Sequence, residues 1–387
     1  MIRIYFITYF ITAALSLYRK NIYIIYIYFL LVYGVLYKVG QDYINYHLLY
    51  KNLTYLNIEE LKKGYEVGFL IFMYIHKTLF NNVYAFYFLI QVLVLGVLFY
   101  YLKRWCIYPY LGLNIYFSRF FFSLNIDQQR QCIALFIFLI GFQFLEKNKI
   151  FKFYICCIIA SCFHISAIIC FFIPLFLKIK IDKKTILVVY FIGTLINFLE
   201  IEYLKYFLSI LKTISFSEFL NNKIQVYIDS NIDQQIKFFT LGRIERGVLF
   251  TISIWGLSKY KFLEKKEKNY FKLYFYYAIM QLYFYEFAII IQRFGYFFRI
   301  FEIFLFPNII YNLNKKINKI CLIIIILILN FVSLINVLVL NQDTKEAFIP
   351  YQNYILNKKF LKNADEKLEF EFKIKKIIEG NTEENEK

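Results

Sequence analysis

Arginine is the side chain hardest to keep at hydrocarbon depth, because its guanidinium never gives up its charge. In this chain Arg119, Arg130, Arg243, Arg246, Arg293 and Arg299 all stand at or just inside the edge of an apolar run. A planar guanidinium fork fits a phosphate oxygen pair, so cations placed this way have the chemistry to hold a phosphate or diphosphate beside lipid. Arg130 opens the run "NIDQQRQCIALFIFLIG" and Arg119 lies in "YFSRFFFSL", near the end of the run before it. The plain alternative is snorkelling, in which each arginine reaches out to the headgroups and does nothing further.

Acids and a histidine also fall in or beside these runs. In "IIIQRFGYFFRIFEIF" Arg299 and Glu302 are three apart, so one helix face can pair them. Desolvating such a pair costs several kcal/mol, which favours a polar cavity over lipid around it. Glu286 precedes Arg293 by seven residues and falls on a similar face. Arg243 and Arg246, in "FTLGRIERGVLF", are neighbours if that stretch is helical, although arginines at a helix start are common. His164 lies deep in "IIASCFHISAIICFFIP"; it is either a hydrogen-bonded packing residue or a base and acid able to titrate near neutral pH. In "VGQDYINYHLLY" the residues Asp42, Tyr43, Tyr46, His47 and Tyr50 recur every three or four positions, one face of a short helix. Tyrosines suit the headgroup level in any membrane protein, and an acid beside aromatic rings also suits a sugar. His47 and His76 carry weaker claims than His164.

The elements that must hold these residues are membrane helices. Of the 387 residues 60% are hydrophobic and 22% aromatic, with mean hydropathy +0.53, outside the range of soluble domains. AT-rich coding can explain Phe or Ile in place of Leu, but not repeated windows of about 18 to 20 apolar residues. The net charge of +18 sits in clusters such as "KNKIFK" and "KYKFLEKKEK" between apolar runs, a positive-inside pattern rather than a nucleic-acid footprint. The seven cysteines show neither zinc spacing nor a disulfide framework. The first run, "MIRIYFITYFITAALSLYRK", lacks a basic start and a polar stretch after it, so a retained helix is expected rather than a cleaved signal.

Apolar runs fall at about 2–18, 21–37, 83–102, 105–123, 131–145, 150–177, 185–199, 244–258, 270–291, 294–312 and 320–340. Lysine clusters placed in the cytoplasm put residues 38–82 and 200–246 outside as loops, with Arg130 and Arg293 facing outward and both termini outside. The 28-residue run 150–177 would make one helix of about 42 Å against a hydrocarbon core of about 30 Å. Both its ends are basic, so a short hairpin or re-entrant pair turning near His164 is expected. The interval 66–80 is too short to span and is read as an external surface helix. The fold class is therefore all-α and polytopic, with about 11 to 12 transmembrane segments over residues 1–341, and 342–387 is a charged peripheral tail.

The stretches "VGQDYINYHLLY", "GYEVGFLIF" and "QQRQCIALFIFLIGFQFLEKNKIFKFYICCIIASCFHISAII" resemble the EpsG family of Wzy-like polysaccharide polymerases. An acidic Tyr-rich motif, an Arg-Gln before a helix, a Lys-bearing turn and a Phe-His-x-Ser-Ala stretch occur in the family's order, most clearly over residues 38–180. One departure is Lys38, where family members tend to carry Arg; a phosphate gripped in bidentate fashion would feel the exchange.

The resemblance implies that oligosaccharide repeat units on a polyprenyl diphosphate carrier are joined into a surface glycan (capsule, O-antigen or exopolysaccharide) at the outer face of a bacterial cytoplasmic membrane. A GT-C-like helical bundle is compatible with that role. The expected site assigns the diphosphate to Arg119, Arg130, Arg243, Arg246, Arg293 and Arg299, acid–base work to His164 or Asp42 with Arg130 as the catalytic cation, and glycan contacts to Tyr43, Tyr46, His47 and Glu286. Glu286 is also a candidate base. Arginines supply the charge, no Asp-x-Asp pair is present, and no metal or cofactor is expected. The partners implied are lipid-linked donor and acceptor, membrane lipids, a flippase and a chain-length regulator, with no nucleic acid. Three other readings stand beside it: a flippase or exporter of lipid-linked oligosaccharide, a membrane acyltransferase centred on His164, and a membrane subunit without catalysis. The first would show cations through the bilayer depth and an internal repeat, neither of which is present.

Overall fold

The computed structural model describes residues 2–19, 21–53, 64–204, 206, 209, 241–259 and 265–355. Most of the expected loop 200–246, part of the loop 38–82, and the tail beyond 355 lie outside the described residues. Among the described residues the fold is helical throughout, with one isolated antiparallel bridge between Leu36 and Asn353 and no strand. Three helices among the described residues are long and apolar enough to cross a membrane: Val83–Trp105, Ile290–Tyr311 and Lys316–Leu340. Others are shorter than the runs that announced them. The first, α1 (Arg3–Ala14), is only 12 residues, about 18 Å.

By their internal contacts the residues form two compact units, Met1–Ile140 with Ile158–Ile165 and Ile323–Lys387, and Gly141–Cys157 with Ser166–Leu322.

The first unit is built from α1, α2 (Ile22–Tyr33), α3 (Tyr43–Asn52), α4 (Val67–Phe80), α5 (Val83–Trp105) and α6 (Pro109–Tyr116). Parts of α7 (Gln129–Glu146), α8 (Ile150–Phe163) and α15 (Lys316–Ile335) complete it, with the short α16 (Gln342–Phe348). Helix α5 shows why its sequence is helical. Asn82 caps it by accepting from the backbone N–H of Tyr84 and Ala85 at 2.9 and 3.0 Å, and Lys103 and Arg104 sit in the last turn, where the helix dipole favours cations.

From α6 the chain continues as an 11-residue π-helix, Phe117–Asp127. Such wide turns are rare and are frequently found at functional sites. A buried polar clamp holds this one: the Gln91 amide donates to the Asn125 carbonyl at 2.8 Å, the Asn125 amide returns a bond to Gln91 Oε1 at 3.0 Å, and Tyr116 donates to Asn125. The clamp fixes the chain two residues before Asp127.

The described part of the tail returns to this unit. Tyr5 donates to the Phe348 carbonyl at 2.9 Å, Tyr37 N–H to Gln352, and Tyr354 N–H to Val35. Residues 342–355 therefore pack beside the start of the first loop, where composition alone set them apart as peripheral.

The second unit holds α9 (Ile173–Lys178), α10 (Lys183–Phe198), α11 (Leu241–Lys259), α12 (Lys265–Tyr283), α13 (Ala288–Arg299) and α14 (Glu302–Tyr311). Large aromatic residues fill its core: Phe142, Tyr270 and Phe301 meet with ring centroids 4.6 to 6.3 Å apart. The run 150–177 turns back on itself as expected. Helix α8 ends at Phe163 and a 3₁₀ segment, Ile165–Phe172, follows His164. Tyr154 and Phe171 stack at 5.9 Å, although a straight helix would hold residues 17 apart at about 25 Å.

Candidate functional site

In the first unit the loop "VGQDYINY" is folded against the end of the π-helix by a glycine. Gly40 has φ +103°, a conformation open to glycine, and a Cβ there would lie 2.6 Å from Asp127 Oδ1. The Gln41 N–H donates to that same oxygen at 2.7 Å, and the Gly40 N–H donates to the Ala347 carbonyl at 2.7 Å. Asp42 follows directly, so two carboxyl groups are neighbours. Asp127 lies four residues past the apolar run that ends at 123. Burial pushes its carboxyl up to about 7; the Asp42 charge adds to the rise, and the Gln41 N–H opposes it. Near neutral pH Asp127 is poised to hold or release a proton.

One helical turn further on, Arg130 makes the densest set of contacts in the region. Its Nη1 donates to Glu66 Oε2 at 2.5 Å and to the Gly64 carbonyl at 3.0 Å, and its Nε donates to the Tyr46 hydroxyl at 3.3 Å. The guanidinium also lies 4.9 Å from the Tyr65 ring centre and 5.9 Å from that of Tyr46. Its Nη2 has no acceptor among the described residues, leaving donors for a ligand. The second oxygen of Glu66 accepts the Ile165 N–H at 3.3 Å, immediately after His164. Glu66 therefore links Arg130 to the turn that carries the histidine. Helix α4 can approach that turn because of Gly68, where a Cβ would sit 2.6 Å from the Cys162 carbonyl oxygen.

Tyr43, Tyr46 and His47 share one face of α3, as the spacing suggested, and that face is inward: they are 3, 2 and 1% exposed. Tyr43 stacks on Tyr87 at 4.9 Å and on His47 at 5.8 Å, and Tyr46 packs on Phe69 at 5.4 Å. In this arrangement neighbouring rings, rather than solvent, meet those faces. His76 bonds the Tyr50 hydroxyl at 3.0 Å and ties α3 to α4. His164 is 8% exposed, its backbone N–H closing the last turn of α8 on Ala160. Arg119 is buried in the π-helix, close enough to Tyr9 to act on its hydroxyl electrostatically.

The second unit holds a different arrangement. Arg243 and Arg246 are on one face of α11 and line a cavity of about 210 Å³ with Tyr190, Asn197, Tyr277 and Gln281. The Arg243 guanidinium lies 5.7 Å from the Tyr285 ring centre, and Arg246 folds back over Gly242. Asn197 positions α10 by donating to Gly193 at 3.0 Å and to the Leu282 carbonyl. Arg299 pairs with buried Glu302 at 3.3 Å across the join of α13 and α14, and stands 5.6 Å from the ring of Tyr277, a wall of the cavity. Glu286 is buried and accepts the Leu204 N–H at 2.8 Å; Arg293 is exposed.

Sequence reasoning passed over Glu66, Tyr65 and Asp127. All three stand within or beside the quoted stretches, in "GYEVGF" and "NIDQQRQ". For Glu66 and Asp127 the signal was a lone carboxylate in each motif; Tyr65 had none.

These features define a multi-pass helical membrane protein with charged side chains gathered at the ends of its helices. A family model described as EpsG family matches residues 2–353, and the chain belongs to that family of Wzy-like polysaccharide polymerases. Neither a curated protein nor a solved structure matches the chain.

Proposed function

We propose that this protein joins oligosaccharide repeat units carried on a polyprenyl diphosphate into a longer glycan, at the outer face of a bacterial cytoplasmic membrane. One observation carries the reading: the three stretches that mark the family, far apart in the chain, meet around Arg130. The Gly40–Gln41 turn touches Asp127, Tyr46 and Glu66 touch Arg130, and Glu66 reaches the backbone beside His164.

The chemistry follows from these groups. The bond between the donor's anomeric carbon and its phosphate oxygen breaks, and the acceptor hydroxyl oxygen bonds to that carbon. The Asp42–Asp127 pair takes the hydroxyl proton, and polyprenyl diphosphate leaves. Arg130, through its open donors, offsets the charge growing on the leaving oxygen in a site partly shielded from water. Both substrates carry a diphosphate, and the acceptor's reacting hydroxyl is an oligosaccharide's length from its own. Two separate anion sites are therefore required, and the Arg243–Arg246 cavity has the chemistry of the second.

The test is the glycan ladder of a deletion strain complemented with Arg130→Ala. Single repeat units with normal membrane levels of the protein support the reading. A full-length ladder removes Arg130 from the mechanism, and loss of all surface glycan would favour an export role instead.

A further inference from the structure

Within the second unit, away from the arginines, the end of α7, the starts of α8 and α12, and α9 surround a cavity of about 480 Å³. That volume is ordinary for a small-molecule site. Its charged lining carries both signs, with Lys178, Lys265 and Lys266 beside Glu146. Lys266 is near enough to attract Glu146, yet Glu146 Oε1 is buried with no hydrogen-bond partner among the described residues. A buried carboxylate oxygen left without a donor is costly, so the cavity favours an occupant that supplies one.

The rest of the lining says what kind of occupant. Leu145, Ile150, Pro174 and Leu177 are apolar. The surface beside them is exposed hydrocarbon: Ile150 is 44% exposed, Phe151 76% and Leu175 58%. The cavity is thus continuous with a face suited to acyl chains. Phe142, the aromatic residue in the lining, is engaged with Phe301 at 4.6 Å, so no open pair of rings is offered to a nucleobase. A ligand matching all three features accepts from lysines, donates to a carboxylate and continues as hydrocarbon.

We propose that this cavity binds the headgroup of a hydroxylated anionic phospholipid, with the phosphate on Lys178, Lys265 and Lys266 and a headgroup hydroxyl donating to Glu146. Basic pockets between membrane helices bind anionic headgroups on this principle. The inference stands apart from the polymerase reading and uses none of its residues.

Native mass spectrometry of the full chain, released from mixed phosphatidylglycerol and phosphatidylethanolamine nanodiscs, tests it. Phosphatidylglycerol should be retained preferentially, and each Lys→Gln change should weaken retention by roughly fivefold. Glu146→Gln should reduce the preference for phosphatidylglycerol over phosphatidic acid, which lacks the headgroup hydroxyls, while leaving the requirement for negative charge. Equal retention of phosphatidylglycerol and phosphatidylethanolamine by the unaltered protein would overturn the proposal. So would an unchanged preference in the Lys178, Lys265 and Lys266 triple variant. Free glycerol phosphate displacing the lipid at equal concentration would overturn the lipid assignment in favour of a soluble phosphate ester.

Discussion

The two arginine clusters solve opposite electrostatic problems. In the first unit Arg130 is already matched: Glu66 faces it at 2.5 Å, and Tyr46, Tyr65 and the Gly64 carbonyl surround it. In the second unit Arg243 and Arg246 share one cavity and repel each other, and Tyr285 and Glu200 oppose that repulsion at Arg243. A matched cation is held rigidly and binds a further anion through the donors it has left. A pair of like charges in a small cavity gains more from an incoming anion, because the anion relieves their repulsion. The contrast suits a catalytic group that must be accurately placed in the first unit, and a holding site that must bind in the second.

The largest effect should come from Arg130→Ala. Loss of one preorganised charge donor at the leaving oxygen lowers turnover on the order of 10²- to 10³-fold, read as polymer formed per minute by purified protein in nanodiscs. If instead KM rises and kcat holds, the assignment of roles between the units is reversed.

Next in size is the acid pair. The Asp127 carboxyl is raised to about 7, so below that pH it is protonated and cannot accept from the sugar hydroxyl. Activity should therefore fall as pH drops through about 7, and Asp127→Asn should cost on the order of 10²-fold and abolish that limb. Stability moves the other way. The folded state holds this proton more tightly than the unfolded chain, whose carboxylates titrate near 4, so the Asp127 contribution declines as pH rises from about 4 to 7 and is flat above. A thermal-shift series across that range, with and without Asp127→Asn, checks the sign.

Arg243→Ala with Arg246→Ala should raise KM for the acceptor about tenfold and leave kcat nearly unchanged, since uniform binding is what is lost. An equal loss of kcat would place this cavity at the chemical step. The smallest effects are structural. Gly68→Ala forces a Cβ against the Cys162 carbonyl and should destabilise the first unit by about 1–3 kcal/mol, seen as a lower melting temperature.

The sequence made legible what depends on short separations. The break at His164 followed from a run too long for one crossing, the Arg299–Glu302 pair from a three-residue spacing, and the shared face of Arg243 and Arg246 from the same rule. The inward side of α3 was visible as periodicity, but not its burial, because that depends on Tyr87 and Phe69 arriving from elsewhere. Partners across long separations were not legible at all. Glu66 is 64 residues from Arg130, and Gln41 is 86 from Asp127; no local pattern encodes either meeting. The π-helix was hidden for a related reason: the clamp by Gln91 that holds it comes from another helix.

The central claim is that Arg130 acts on the substrate and is more than a tie to the loop. The direct measurement compares Arg130→Ala with Glu66→Ala in one polymerisation assay at matched protein levels and melting temperatures. If Arg130 stabilises the leaving diphosphate, Glu66→Ala keeps turnover within about tenfold of the unaltered protein, while Arg130→Ala loses on the order of 10²-fold or more. Equal losses in the two variants would show that the ion pair only anchors the loop, and would contradict the account.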